Sequence, residues 1–431
     1  MSRTLPLLLL STSLCDLLKG PYGDGSASDT DPGSTSEATG DADDDDGMTL
    51  PTGEPTTGQY DPEPVCLMNT IVGSTDGNFL ELCEVLVDPH DGGVVVVGAF
   101  EDTLEIQDQS AESKPDQRAI FVARFAASGV IEWIESFDEP GLLGCKDAVL
   151  TAAGDVAIVD ADTPRILVLR ASAKPRSWQP TGLAWVPSKI EMVGDDILLA
   201  GSCESNELWL AIVNPESIAV KEHCEVMPGV IPTALAVDPN TLGAVWVGAT
   251  QPNAPALIAR VNLSPLGISD IQGPEDISPP ALSAKGATVY SLEYSKPFNY
   301  RVRLRSYPPG AGPGLAEIDE GKILSATDMT IQGDWLVFAL ETDDESGSTV
   351  DLWRVAADDF EVRHKADIAG EPKWSGPPIL TASPTASPCG VLFGGSRNSS
   401  PEPFTVEGAE VLAPHAHTSF FVTRLPPNFG E

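Results

Sequence analysis

The chain has 431 residues, of which 42% are hydrophobic and 21% charged, and it carries a formal net charge of −39. The length suits one large β-domain or two ordinary domains, and the charge repels nucleic acid and anionic lipid, so neither is an expected partner. The 39 Gly and 38 Pro are spread along the chain and indicate frequent turns between short elements.

In chain order the first segment is "MSRTLPLLLLSTSLC", where Arg3 precedes a short apolar run that ends at Cys15. The run is too short to span a bilayer as a helix. It resembles a bacterial lipoprotein signal, in which a diacylglycerol is attached to the cysteine that becomes the mature N-terminus. That resemblance implies export, with residues 1–15 as the signal segment and Cys15 as the lipidation candidate. Leu14 stands where such a signal has a small residue, and Pro6 interrupts the apolar run.

Residues 16–64 follow as an acidic tether. Pro21 to Pro64 holds twelve Asp and Glu and no Lys or Arg. Low hydrophobicity and like charge keep such a segment from burying enough surface to offset its ordering entropy, and self-repulsion extends it. "DADDDDG" is not a calcium loop: counted from Asp41 the glycine falls seventh, where the EF-hand needs it sixth, and Thr52 stands at the closing position. Removing this −12 and the +1 of residues 1–20 from −39 leaves −28 for residues 65–431, so the folded part is acidic too.

Beyond the tether one pattern recurs seven times. An apolar run ending near a small residue appears as "VVVVGAF" (94–100), "VAIVDAD" (156–162), "ILLAGSC" (197–203), "AVWVGAT" (244–250), "TVYSLEY" (288–294), "WLVFALE" (335–341) and "GVLFGGS" (390–396). A shorter alternating segment precedes each run, for example "CEVLVDPHDG", "DAVLTAAG", "IEMVG" and "DMTIQG". A four-residue core follows each one, ending at Arg124, Arg170, Ala211, Arg260, Arg305, Arg354 and Arg424, with spacings of 46, 41, 49, 45, 49 and 70 residues. Short β runs at a period in the forties predict an all-β, seven-bladed β-propeller of four antiparallel strands per blade over residues 65–431. Blades stack on both faces, which explains runs such as "VVVV" that do not alternate. A two-layer sandwich needs no fixed period. The seventh pass stops at "FVTRLPPNFGE" without a fourth strand, so residues 66–72 are expected to close the last blade from the N-terminal side and remove the free edges.

"VDPHDGGVVVVGAF" and "IFVARFAASGVIEW" resemble the seven-bladed propeller repeats of secreted bacterial proteins, whose pattern is roughly D-x-x-G-N-x-x-V-x-G, then F-V-A-K-x-x-x-x-G and an aromatic. Asp88, Gly93, Gly98, Phe121, Val122, Ala123, Gly129 and Trp133 match, and Arg124 replaces the lysine. The resemblance implies the fold and an exported location, and no assigned activity.

Signals for chemistry are sparse. There is no G-x-S-x-G, H-E-x-x-H or C-x-x-C. The six repeated arginines read as structural, with heads paired to carboxylates. His415 and His417 in "HAH" are the one weak metal candidate, two ligands on one side of an extended chain without a third. No cofactor is expected. Glu341, Asp343, Asp344 and Glu345 read as a solvated loop. Trp133, Trp209, Trp246, Trp335 and Trp353 read as strand packing. With Cys15 set aside, Cys66, Cys83, Cys145, Cys203, Cys224 and Cys389 form an even set in an exported chain, which favours disulfides. Cys203 with Cys224, inside one blade, and Cys66 with Cys389, across the closing blade, are the first pairings to consider.

The function expected from these observations is an exported, surface-tethered binding or scaffold module. It would act as a monomer and contact an envelope or extracellular protein or glycan through loops 396–418 and 101–118, touching the membrane only through a lipid anchor. The alternative is a propeller hydrolase or lyase, which requires carboxylates with shifted pKa values converging in the central channel.

Overall fold

The computed structural model describes residues 70–138, 144–160, 165–169, 176–180, 185–202, 207–217, 219–238, 244–251, 254–272, 281–295, 301–308, 314–318, 322–344, 347–366, 368–369, 378–382, 390–398, 404–411 and 418–430. The signal segment, Cys15 and the tether lie outside them. Every regular element among the described residues is a β-strand, and these strands form seven blades of four antiparallel strands. The seven apolar runs found in the sequence are the second strands, and each observed strand starts within one residue of its run.

The inner strands are Leu80–Val87, Cys145–Leu150, Val186–Val193, Ile231–Val237, Ala281–Lys285, Lys322–Gln332 and Ile379–Ala382, for blades one to seven. Each packs against the next, and the last packs against the first. That closed circuit defines the propeller and its central channel.

The core is accordingly divided into seven apolar seams, one between each pair of neighbouring blades. The run Val94–Val97 shows why these strands lack alternation. Val94 and Val96 enter the seam with blade seven, whereas Val95 and Val97 enter the seam with blade two. All four are at most 1% exposed, and each buried valine contributes about 1.5–3 kcal/mol of hydrophobic stabilisation.

Blade seven consists of Ile379–Ala382, Val391–Asn398, Thr418–Leu425 and, from the other end of the domain, Ile71–Thr75. Closure from the N-terminal side is as expected, but the described strand runs three residues past the predicted end at residue 72. Residues 66–69 lie outside the described residues. In its ladder Ile71 opposes Val422, Gly73 opposes Phe420 and Thr75 opposes Thr418. Glycine is required at 73 because a Cβ there would collide with the Phe420 ring and press on Ile106.

A feature beyond four-stranded blades follows from the connection in blade one. Thr103–Ile106 and Gln109–Glu112 form a hairpin that crosses the seam and pairs with the free side of the closing strand, Gly73 opposite Ile106 and Thr75 opposite Leu104. The closing sheet therefore has six strands. In blade seven the corresponding connection folds back as Phe404–Val406 and Ala409–Val411, which pair with Ile368–Ala369 in a small separate sheet. Phe404 and Val406 are buried in the seam between blades six and seven.

Candidate functional site

The inner strands carry a repeated irregularity. A β-bulge shifts the register between Leu82 and Glu84, Cys145 and Asp147, Pro187 and Lys189, Pro232 and Ala234, and Ala326 and Asp328. A bulge places one extra residue on its strand and re-aims the side chains around it. In blades one, two, three and six the residue that resumes the register is charged: Glu84, Asp147, Lys189 and Asp328. Glu191 lies two residues beyond Lys189, on the same side of its strand by the period of two.

These groups meet across the channel. Glu84 is influenced by Asp147, Asp328 and Lys189, and Lys189 in turn by Asp147, Glu84 and Asp328. Blade six is neighbour to none of blades one, two and three, so its field reaches their side chains across the axis. Burial, and then the Asp147 and Asp328 charges, push the Glu84 carboxyl well above the usual carboxylate range, while Lys189 opposes them. Burial, reinforced by Asp147 and opposed by Lys189, raises Glu191 to about 8. Burial raises Asp328 to about 6 against its backbone hydrogen bonds. The Asp147 charge is the main reason that Lys189 is raised.

The two aspartates also tie blades together. Asp147 accepts the amide of Ala148 at 3.0 Å and, from blade three, the amide of Ile190 at 3.2 Å. Asp328 accepts the amides of Met329 and, from blade seven, Leu380, both at 2.8 Å. Lys189 Nζ stands 3.5 Å from Asp147. The same device thus bridges blades two to three and six to seven. Between blades one and seven Ser396 has this role, its Oγ accepting the amide of Leu82 at 2.8 Å. No group of three or more His, Cys, Asp or Glu is placed to hold a metal ion among the described residues.

Cys83, the extra residue of the bulge in blade one, is disulfide-bonded to Cys145 at the bulge of blade two, with Cα atoms 5.9 Å apart. The bond staples two inner strands beside Glu84 and Asp147. Cys66, Cys203 and Cys389 lie outside the described residues, and only the backbone of Cys224 is described, in the outer strand of blade three. The first pairings considered from the sequence therefore fall outside these residues, as do His415 and His417.

Three of the repeated arginines, Arg124, Arg305 and Arg354, have structural partners. Arg124 contacts Asp88 at 2.9 Å, Asp91 at 2.6 Å and Glu132 at 2.9 Å. Asp88 also accepts the amide of His90 and Asp91 that of Gly93, so Arg124 and the turn 88–93 form one local knot. Arg305 meets the buried Glu293 at 3.0 Å. Arg354 is 1% exposed, lies over the Trp335 ring and donates to the Pro427 carbonyl, which holds the C-terminal turn. Trp133, Trp209, Trp246, Trp335 and Trp353 are buried or half-buried. The acidic stretch from Glu341 to Asp344 is strand and not loop, because the second strand of blade six continues to Asp344, opposite Gly347.

Sequence reading found the inner segments but not the convergence of their charges. The signal was present: "CEVLV", "DAVL", "IEMVG" and "DMTIQG" each carry an acidic residue near their start. Only the ring brings those four positions to one axis.

No family model and no curated protein matches the chain. Solved structures resemble it in fold. The β-propeller domain of Cps50 (Swd1) from Myceliophteria thermophila superposes with a TM-score of 0.51 at 7% identity, covering 80% of this chain and 100% of that one. A catalytically inactive virginiamycin B lyase from Staphylococcus aureus, solved with quinupristin, gives 0.47 at 12%, covering 82% and 99%. Kuenenia stuttgartiensis hydrazine synthase gives 0.47 at 12%, covering 66% and 78%. At 7% identity the likeness to the Cps50 domain is one of fold alone.

Proposed function

We propose that the chain is an exported, surface-tethered propeller that binds a protein or glycan through the face bearing the second-to-third-strand connections of blades one and seven. The observation that carries this reading is that these two connections lie on neighbouring blades and are enlarged into ordered hairpins. The equivalent links in blades four and six span only residues 252–253 and 345–346. Each hairpin has a buried side, with Leu104 and Ile106 in one and Phe404 and Val406 in the other. On the first, Glu105, Asp108, Ser110 and Glu112 are exposed. Rigid scaffolds that present decorated connections are a common basis for recognition.

Export is supported by the signal-like segment ending at Cys15, the acidic tether and the Cys83–Cys145 disulfide, which suits an oxidising compartment. No helix among the described residues is long and apolar enough to cross a membrane, so in this reading the chain reaches the membrane through lipid on Cys15. A ring that closes its own edges suits a monomer.

Removing 398–416 entirely would take Phe404 and Val406 out of the core, so the decisive variant replaces only residues 412–416 with Gly and Ser. Together with Glu105→Lys, it should weaken binding of the purified chain to envelope proteins or glycans at least tenfold with unchanged thermal stability. Unchanged binding would sink the assignment of the face.

One feature favours the hydrolase or lyase alternative: burial and the Asp147 charge raise the Glu191 carboxyl to about 8 against Lys189, the direction that a general acid requires. Under that reading Glu191→Gln abolishes turnover of a glycan or lactone substrate. Wild-type protein inert towards such substrates would remove it.

A further inference from the structure

Within the channel Asp147 and Asp328 each have two amide donors, and Lys189 pairs with Asp147. Glu84 and Glu191 are different. Among the described residues each has the amide of its own successor, Val85 or Met192, as its one hydrogen-bond donor. Both face other carboxylates, Asp147 and Asp328 around Glu84 and Asp147 near Glu191.

The elements packed around them offer little further positive charge. The inner strand of blade one lies between those of blades two and seven, and that of blade three between those of blades two and four. Ile379–Ala382 of blade seven and Ile231–Val237 of blade four carry no ionisable side chain. Blade two contributes Asp147, the exposed Lys146 and, from its second strand, the fully buried Asp160. Blade seven's second strand brings Arg397, which is 2% exposed and lies over Phe404. Glu81, on the strand of Glu84, feels Arg118. On the inner strand of blade five the only charge is Lys285, which is engaged by Asp334. Among the described residues Lys189 is thus the one cation that acts on Glu84 and Glu191 together, and it faces four carboxylates.

We propose that protons on Glu84 and Glu191 hold the ring together, so that the propeller is a pH-responsive ring, tight on the acid side of neutrality and loosened as the medium turns alkaline. A carboxyl that titrates higher in the folded chain than in the unfolded one contributes stability that is fully present below the unfolded value. That stability is lost as the pH rises through the folded value. For Glu191 this window runs from 4.5 to about 8, and for Asp328 from 3.8 to about 6. Surface carboxylates are already ionised above pH 6 and change little across the upper part of the window.

The test is thermal unfolding of the full chain between pH 5 and 9 at fixed salt. The midpoint should fall by on the order of 5 °C from pH 6 to 8.5. In the Glu84→Gln/Glu191→Gln variant, which carries no charge at either position at any pH, that slope should vanish above pH 7, where Asp328 is already ionised. Glu105→Gln/Glu112→Gln on the outward hairpin should retain it. A wild-type midpoint that is flat or rises, or the same slope in the channel variant, overturns the proposal. Should the channel variant not fold, carbon NMR of Glu-labelled wild type decides: a glutamate titrating near 8 is expected, and all glutamates titrating below 5.5 would overturn it.

Discussion

The seam between blades seven and one and the seam between blades four and five do the same job with different materials. The first is aromatic, built on Phe100, Phe121, Phe125 and Phe420, with Phe121 and Phe420 stacked at 5.5 Å between centroids. The second is small and partly polar, with Ala234, Ala236 and Ala284 around Trp246 and Tyr307. Beside it Glu293 accepts hydrogen bonds from Ser291 at 2.6 Å and Tyr307 at 3.0 Å. Chain continuity joins blades four and five. The chain also crosses the closing seam, from Ile71–Thr75 into Leu80–Val87, and the covalent break lies inside blade seven, between Thr418–Leu425 and the strand that comes from the far end of the domain. At that break the ring is held by burial and by the backbone pairing of Ile71–Thr75 with Thr418–Leu425. Large apolar contacts are therefore concentrated beside the covalent break, where Phe420, on the strand that pairs with Ile71–Thr75, packs into this seam.

The sharpest way to break this contrast is Phe420→Ala, which removes a ring from the closing seam and should cost about 3–5 kcal/mol. Denaturant unfolding would measure it, and a loss below 1 kcal/mol would mean that the seam is not the principal clasp. Replacing both Cys83 and Cys145 with Ser should cost about 2–4 kcal/mol, read as a lower midpoint that the wild type matches once reduced. At the polar seam Tyr307→Phe deletes one hydrogen bond to Glu293 and should cost about 1 kcal/mol. If this last change equalled the first, the two seams would be energetically alike and the contrast would fail.

Much of the architecture was legible in the sequence because a blade is a local unit. The seven second strands announce themselves by apolar runs, and the missing fourth strand at "FVTRLPPNFGE" points to closure from the other end. The register of closure was less legible. It is set by Phe420 and Ile106 crowding Gly73, partners hundreds of residues and about thirty residues away, so the strand runs on to Thr75 and not to residue 72. The hairpin 103–112 resembled a free loop, yet its Leu104 and Ile106 are fully buried. The channel charges were visible one by one, and the bulges that aim them were not, since a bulge is a property of the pair of strands. The structural role of the repeated arginines was legible from their recurrence, and at Arg124, Arg305 and Arg354 carboxylates or a carbonyl receive the guanidinium.

Hydrogen exchange at the amides of Ile71–Thr75 tests the central claim, that the two ends of the domain close one ring, most directly. Closure predicts that these amides are protected as strongly as those of the second strands, and that Phe420→Ala lowers both together. Rapid exchange at 71–75 beside fully protected second strands would mean that the ring is complete without them.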